Sequence, residues 1–416
     1  MSKFTKLVKN PKLFAIDMLK KRLDLSEIDQ KNINEFSLIN KNLDFSYVNF
    51  CQDIPFLIHS GELAAAGVNQ LSPWIPIFSS SQVNFVVLVR NIQLFNELKR
   101  KFPQVAIAYA KRGSDVEELL SYLPKLRHVF YPSSTGNNIH LVRFNHLNHI
   151  FIGHGDSDKQ SSAHKALRIY DEIWTAGQAH IDRFALMNFD TKHLKFLKVG
   201  RPNLTKVFKN KKEFNTNKLN ILYLPTWEGT IEETNYSSTH LSGEIIKELS
   251  GQDNVSLGIK YHPFTGNRNL SLQSINRNTL DLINELKINA NLYNDNNVSD
   301  LISKYQIFIC DISGVITECL SANCPIFVYI PNDKNITIAK SKIELKDYCY
   351  TFSTIEELKL KLMDILSGND SLKEKRKLAM DYFLGYDETV NQKFTKQLKS
   401  LALGEMAYVP RIYEEL

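Results

Sequence analysis

The stretch "KVFKNKKEFNTNKLNILYLP", residues 206–225, decides how the chain is divided. Its first part, as far as Asn220, is polar and rich in lysine and asparagine, and its last, "ILYLP" (221–225), is an apolar run that stops at a proline. Upstream, short β-prone runs are separated by helix-length segments: "IPFLIH" (54–59), "VNFVVLVR" (83–90), "VAIAYA" (105–110), "RHVFY" (127–131), "HIFIG" (149–153), "EIWTA" (172–176) and "KFLKVG" (195–200). Downstream the rhythm restarts with "ILYLP" and continues through "VSLGIKYH" (255–262), "ANLYN" (290–294), "QIFICD" (306–311) and "PIFVYI" (325–330). Apolar runs alternating with helix-length segments predict βα units on parallel sheets. The polar interruption reads as a linker, 206–220, between an N-terminal Rossmann-like domain, 51–205, and a C-terminal one, 221–385. Residues 386–416 read as a helical segment packing back on the first domain.

Two Rossmann-like domains facing a cleft are the glycosyltransferase-B arrangement, in which strand C-termini of both domains point at the cleft. The fold class expected is therefore α/β of that type, preceded by a basic leader, 1–50. Within the leader, "KFTKLVKNPKLFAIDMLKKR" (3–22) sets seven Lys/Arg against the single acid Asp17. Asn10 followed by Pro11 reads as a helix start, and Leu13, Ile16, Leu19 and Leu23 then share one face, with Lys12, Lys20, Lys21 and Arg22 beside or opposite it. Such a helix can lie on an anionic membrane surface or dock its apolar stripe on the main body.

Composition narrows the class of protein. With 43% apolar and 23% charged residues among 416, this is an ordinary globular composition large enough for two cores. Five cysteines include no CxxC pair, which argues against a structural zinc site or a disulfide scaffold. No apolar stretch approaches the roughly 20 residues that span a bilayer, and the start is too basic for a signal peptide. The expected location is the cytoplasm, peripheral on the inner face of the membrane if the leader binds there; no nucleic-acid partner is expected.

Chemistry-bearing residues gather at strand ends. His154 follows "HIFIG", "PTWEG" (225–229) follows "ILYL", "HPFTG" (262–266) follows "LGIKY", and "DISGVITE" (311–318) follows "QIFIC". Each alone is an ordinary α/β turn, but four polar loops at strand ends together mark a ligand site.

In this order and spacing the residues resemble the CDP-glycerol glycerophosphotransferases that build teichoic acids, and related capsule polymerases. The likeness runs through "GHGDSDK" (153–159), "YDEIWTAGQAHIDRF" (170–184), "VGRPN" (199–203), "PTW" (225–227), "HP" (262–263) and "CDISGVITECLSANCPIFVYIPND" (310–333). It implies transfer of glycerol or ribitol phosphate from a CDP-activated donor to a hydroxyl of a growing glycan or polyol-phosphate acceptor. His154, Asp156 and Asp158 are then the candidate catalytic residues. The candidate donor-binding residues are Lys159, Arg201, Thr226, Glu228, His262, Pro263, Asp311, Ser313, Gly314 and Glu318. Departures accompany the likeness: Asp156 stands where a small hydroxyl residue is common, Glu228 where an arginine often follows "PTW", and Gly314 where a second serine is usual. No basic residue sits by the late glycine of "FLGYDETVNQKF" (383–394) in the expected place.

The residue types fit that chemistry. An imidazole with an ordinary pKa near 6.5 suits His154 to take an alcohol's proton, and Gly153 and Gly155 let the backbone approach. Asp156 or Asp158 could orient the ring or act as the base, and Lys159 supplies a cation. Ser313 and the amides of Gly314 and Val315 could hold a phosphate, His262 could donate to the pyrophosphate, and Glu318 could accept from ribose hydroxyls. No metal site and no required cofactor are expected, with Mg2+ at most stimulatory. Two other readings stay open: a glycosyltransferase using a CMP-activated or other nucleotide-activated sugar, and a non-catalytic scaffold of a capsule assembly complex.

Overall fold

The structure, a computed structural model, describes residues 53–154, 163–209, 219–251, 255–294, 297–332, 336, 341–385 and 389–404. The leader, and with it the expected basic helix, lies outside the described residues, as do Gly155, Asp156, Asp158 and Lys159.

Among the described residues, thirteen strands form two parallel sheets. The first takes β1 (Phe56–Ser60), β2 (Phe85–Val89), β3 (Ile107–Tyr109), β4 (His128–Tyr131), β5 (Asn148–Phe151), β6 (Glu172–Thr175) and β7 (Lys195–Lys198) in the order β3-β2-β1-β4-β5-β6-β7. The second takes β8 (Leu219–Leu224), β9 (Val255–Ile259), β10 (Ala290–Leu292), β11 (Ile307–Asp311), β12 (Ile326–Tyr329) and β13 (Tyr350–Phe352) in the order β10-β9-β8-β11-β12-β13. Twelve of these strands coincide with the runs read from the sequence; β13, three residues long, does not. The stretch read as linker has structured ends, a helix at Thr205–Lys209 and β8 from Leu219.

The second sheet shows why apolar runs become strands. Along β8, Leu222 and Leu224 enter one core while Ile221 and Tyr223 enter another, and the same alternation separates Phe308 and Cys310 from Ile307 and Ile309 on β11. A period of two with both faces covered leaves no room for polar residues until the strand ends. Registers are parallel throughout this sheet, for example Ile307 opposite Ile221 and Phe308 opposite Ile326.

In its strand order the sheet runs outward from β8 in both directions, so β8 and its neighbour β11 flank the point where the winding reverses. In sheets of this kind the ligand crevice lies where the connections leaving two such strands diverge. Thr226 and Asp311, at the ends of these two strands, are thus placed by topology.

The chain forms two compact units. One comprises the described residues up to Val68 with Asn84–Val129 and Thr135–Leu147, and the other Asn69–Val83, Phe130–Ser134 and the described residues from Asn148 onward. In the first unit, buried His59 bonds through Nδ1 to Asn138 Oδ1 at 3.0 Å, and the Thr135 hydroxyl donates to the same oxygen. In the second, the helix Val390–Ala402 buries Phe394 against Trp74 and Trp174, both at 5.5 Å between ring centroids.

Candidate active site

His154 leaves β5 through Gly153, which adopts φ +60°, a left-handed conformation that glycine takes without strain. The Gly153 carbonyl accepts the indole N–H of Trp74 at 2.7 Å. The His154 side chain is exposed, and its Nδ1 lies 2.9 Å from the Pro132 carbonyl. A carbonyl only accepts, so Nδ1 carries the proton and the neutral ring has its lone pair on Nε2.

His262 is built the opposite way. Half-buried beyond β9, it takes the backbone N–H of Phe264 on Nδ1 at 3.1 Å, which leaves the neutral ring's proton on Nε2. Trp227 stacks on it at 6.3 Å between centroids and 20° between planes, and Phe264 meets both rings. Pro263 is exposed at the turn.

Asp311 and Thr226 are joined directly. The fully buried Asp311 carboxylate accepts the Thr226 N–H at 2.7 Å and the Ser238 N–H at 3.1 Å, both on Oδ2. It thereby pins the loop after β8 to the segment 236–239, which is held again by Ser237 Oγ donating to the Thr226 carbonyl at 2.7 Å. Burial and then the nearby Asp311 charge push the Tyr223 hydroxyl well above its ordinary pKa, so it stays protonated and paired with Ser238.

Glu228 is buried, its carboxylate turned onto backbone amides. Oε1 accepts from Gly266 at 2.9 Å and Asn269 at 3.2 Å, and Oε2 from Gly266 at 3.2 Å. Ser313 and Gly314 are half-buried where β11 passes into the short helix Val315–Leu320. On that helix the half-buried Glu318 carboxyl is pushed above the usual carboxylate range by burial, with the Arg201 guanidinium working against the shift. Arg201 is itself buried, following Gly200 at φ +71°, so the Gly-x-Pro step and the Asp-Ser loop meet through charge.

The structure thus draws Arg201 toward Glu318, Thr226 toward Asp311, and Trp227 and Glu228 onto the His262 turn. Sequence reading had not singled out Trp74, Ser237 or Ser238. It had also passed over Lys260, a buried lysine two residues before His262 whose Nζ donates to the Asn294 carbonyl at 2.9 Å. A charged residue inside the apolar run "LGIKY" was the one visible signal for Lys260; nothing local marks "YSSTH" (236–240) as folding back on β11. Among the described residues no group of three or more His, Cys, Asp or Glu is placed to hold a metal ion.

The sequence profile of the CDP-glycerol:poly(glycerophosphate) glycerophosphotransferases matches residues 145–393, more than half of the chain and all of the loops just described. The chain belongs to this family. It is accordingly an enzyme of the glycerophosphotransferase type. Among solved structures it is similar to the wall teichoic acid polymerase TagF soaked with CDPG, at 14% identity and a TM-score of 0.58, covering 94% of this chain and 99% of that one. A putative UDP-N-acetylglucosamine 2-epimerase from Listeria monocytogenes matches at 8% identity and a TM-score of 0.55, covering 84% and 96%. At these identities the structural likenesses speak for the two-sheet fold alone. No curated protein matches the chain in sequence.

Proposed function

We propose that the enzyme moves glycerol or ribitol phosphate from a CDP-activated donor to a hydroxyl of a growing capsule or teichoic-acid-like polymer. The observation that carries this reading is the opposite tautomers of its two site histidines. His154 offers a lone pair on Nε2, which suits a base, and His262 an N–H on Nε2, which suits a donor to phosphate oxygen. In the reaction the acceptor oxygen bonds to the donor's distal phosphorus, its proton passes to His154 Nε2, and the phosphoanhydride bond breaks with the electron pair leaving on CMP. Negative charge that builds on the phosphates meets His262, with Ser313 and the Gly314 amide beside the same crevice. Asp311 serves by holding the Thr226 loop, and Glu318, on the helix that follows Ser313, faces the Arg201 charge. Asp156 and Asp158, next to His154 in sequence, complete the proposed catalytic side, and Lys159 would supply a cation to the donor phosphates. The basic leader would hold the enzyme against the anionic inner face of the membrane.

Incubation with CDP-glycerol, CDP-ribitol and CMP-sialic acid, with nucleotide release followed, tests the donor. Release of CMP from a CDP-polyol with growth of the acceptor is expected; turnover of CMP-sialic acid alone would replace the reading with sugar transfer. Calorimetry should show His262→Ala weakening CDP binding and His154→Ala leaving it intact while abolishing turnover. Equal loss of binding in both variants would overturn the division of roles.

A further inference from the structure

We propose that Glu228 is a positioning residue that fixes the tautomer of His262. The inference rests on the reading of His262 as a phosphate donor for its purpose, but its geometry stands apart from that reading. The bond that sets the tautomer is the Phe264 N–H to His262 Nδ1, and a backbone amide donates in that direction only if the turn holds its shape. Within the turn, Thr265 N–H bonds the His262 carbonyl at 2.9 Å and Asn267 N–H the Phe264 carbonyl at 3.0 Å.

From outside, the turn is gripped by two consecutive residues of the loop after β8. Trp227 lays its ring against His262 and meets Phe264 edge-on. Glu228 binds the far end, its carboxylate accepting the amides of Gly266 and Asn269. Gly266 sits at φ +85°, and a Cβ there would lie 2.8 Å from the Gln273 nitrogen, so the turn has no slack at the residue Glu228 holds. Arg268 closes the clasp from the other side, donating to the Glu228 carbonyl at 3.1 Å and pairing with Glu232.

An acceptor is required at 228 because both groups facing it are N–H donors. A cationic side chain at 228 would set a donor against these donors, whereas the carboxylate accepts both. Free of this grip, the Phe264 amide loses its aim and the His262 proton can move to Nδ1. The ring then presents a lone pair, not an N–H, at Nε2.

Long-range 1H–15N correlation of the histidine rings in the ligand-free full-length protein reads the tautomer, with His262 assigned by its loss in His262→Ala. Wild type should show His262 protonated on Nε2 and His154 on Nδ1. Glu228→Gln, whose carbonyl oxygen can still take both amides, should keep the His262 pattern and bind CDP within about threefold of wild type, whereas Glu228→Ala should mix the tautomers and bind about tenfold more weakly. Should Glu228→Ala fail to fold, Glu228→Asp, which keeps the charge but is one methylene too short, should mix the tautomers as well. An unchanged His262 signal in Glu228→Ala or Glu228→Asp, or a glutamine variant as perturbed as alanine, would overturn the proposal. Because the signal is read without ligand, a failure of the transfer reaction itself would leave this result standing on its own.

Discussion

The indole N–H of Trp74 donates to the carbonyl of Gly153 at 2.7 Å in a buried bond, 79 positions apart in sequence and one residue before His154. Trp74 is in turn packed on Phe394 of the helix Val390–Ala402. The backbone that carries the exposed His154 is therefore tied to an aromatic cluster contributed by three distant parts of the chain.

Trp74→Phe keeps the ring and removes the donor, leaving the buried Gly153 carbonyl without that bond. The expected cost is about 1–3 kcal/mol of stability. Turnover should fall by more than CDP affinity, since the altered backbone carries His154 and not His262. Denaturant unfolding together with kcat and CDP calorimetry checks this; equal losses in both would mean that Trp74 acts through general stability.

Two glycines should respond oppositely to alanine. A Cβ on Gly177 would lie 2.4 Å from the Tyr382 carbonyl oxygen and 2.7 Å from the Phe383 carbonyl carbon, both rigid backbone. Gly177→Ala should therefore destabilise by about 1–3 kcal/mol, as overpacking does. Gly243 lies in the helix Ser242–Ser250 with nothing within 4 Å of its would-be Cβ, so Gly243→Ala should stabilise by about 0.5–1 kcal/mol. Thermal or urea unfolding of the two variants distinguishes them.

Burial, with the Arg90 charge adding to it, lowers the pKa of His59 to about 3. The unfolded ring takes up its proton near 6.5, so below that value the unfolded chain binds more protons than the folded one, and acid favours unfolding. Stability from this group is fully present above about 6.5 and is lost as pH falls toward 3, amounting to about 2 kcal/mol by pH 5 at roughly 1.4 kcal/mol per unit. His59→Asn can keep a donor toward Asn138 but cannot titrate. Its unfolding free energy should be lower at neutral pH and flatter between pH 7 and 5, and a slope equal to wild type would show that other groups govern acid sensitivity.

The sequence disclosed those parts of the fold whose cause is local. A parallel strand covered on both faces must be apolar along its length, so "IFICD" and "FVVLV" could be recognised, and the polar residues that end such runs marked the loops. The strand β13, "YTF", escaped because it is three residues long, two of them half-buried, and gains its place by pairing with β12. In the candidate site, His154 and His262 stood out in the sequence, but their tautomers did not, since these depend on Pro132, 22 positions away, and on the Phe264 amide. Glu228 shows the limit most plainly: its charge was visible in "PTWEG", but its direction depends on amides 38 and 41 positions further on. Asp311 likewise reaches back 85 positions to Thr226, a contact that follows only once the strand order is known.

The last prediction concerns the charge on the leaving nucleotide. A phosphoanhydride cleavage needs cations or N–H groups where negative charge develops, and many transferases supply a divalent ion held by paired aspartates. In this chain the same task can fall to the Nε2–H of His262, beyond β9, and to the hydroxyl and amide of Ser313 and Gly314, beyond β11. Magnesium would then act only by screening the donor, a weak and general effect that other divalent ions reproduce. Turnover of the best CDP-polyol in excess EDTA should remain within about threefold of that with added Mg2+, since one charge-assisted hydrogen bond is comparable with such screening. His262→Ala should make the rate newly dependent on Mg2+, because the ion then replaces a missing donor. Abolition of wild-type turnover by the chelator, restored by Mg2+ or Mn2+, would instead assign the pair Asp156 and Asp158 to a metal and require a new account of His154.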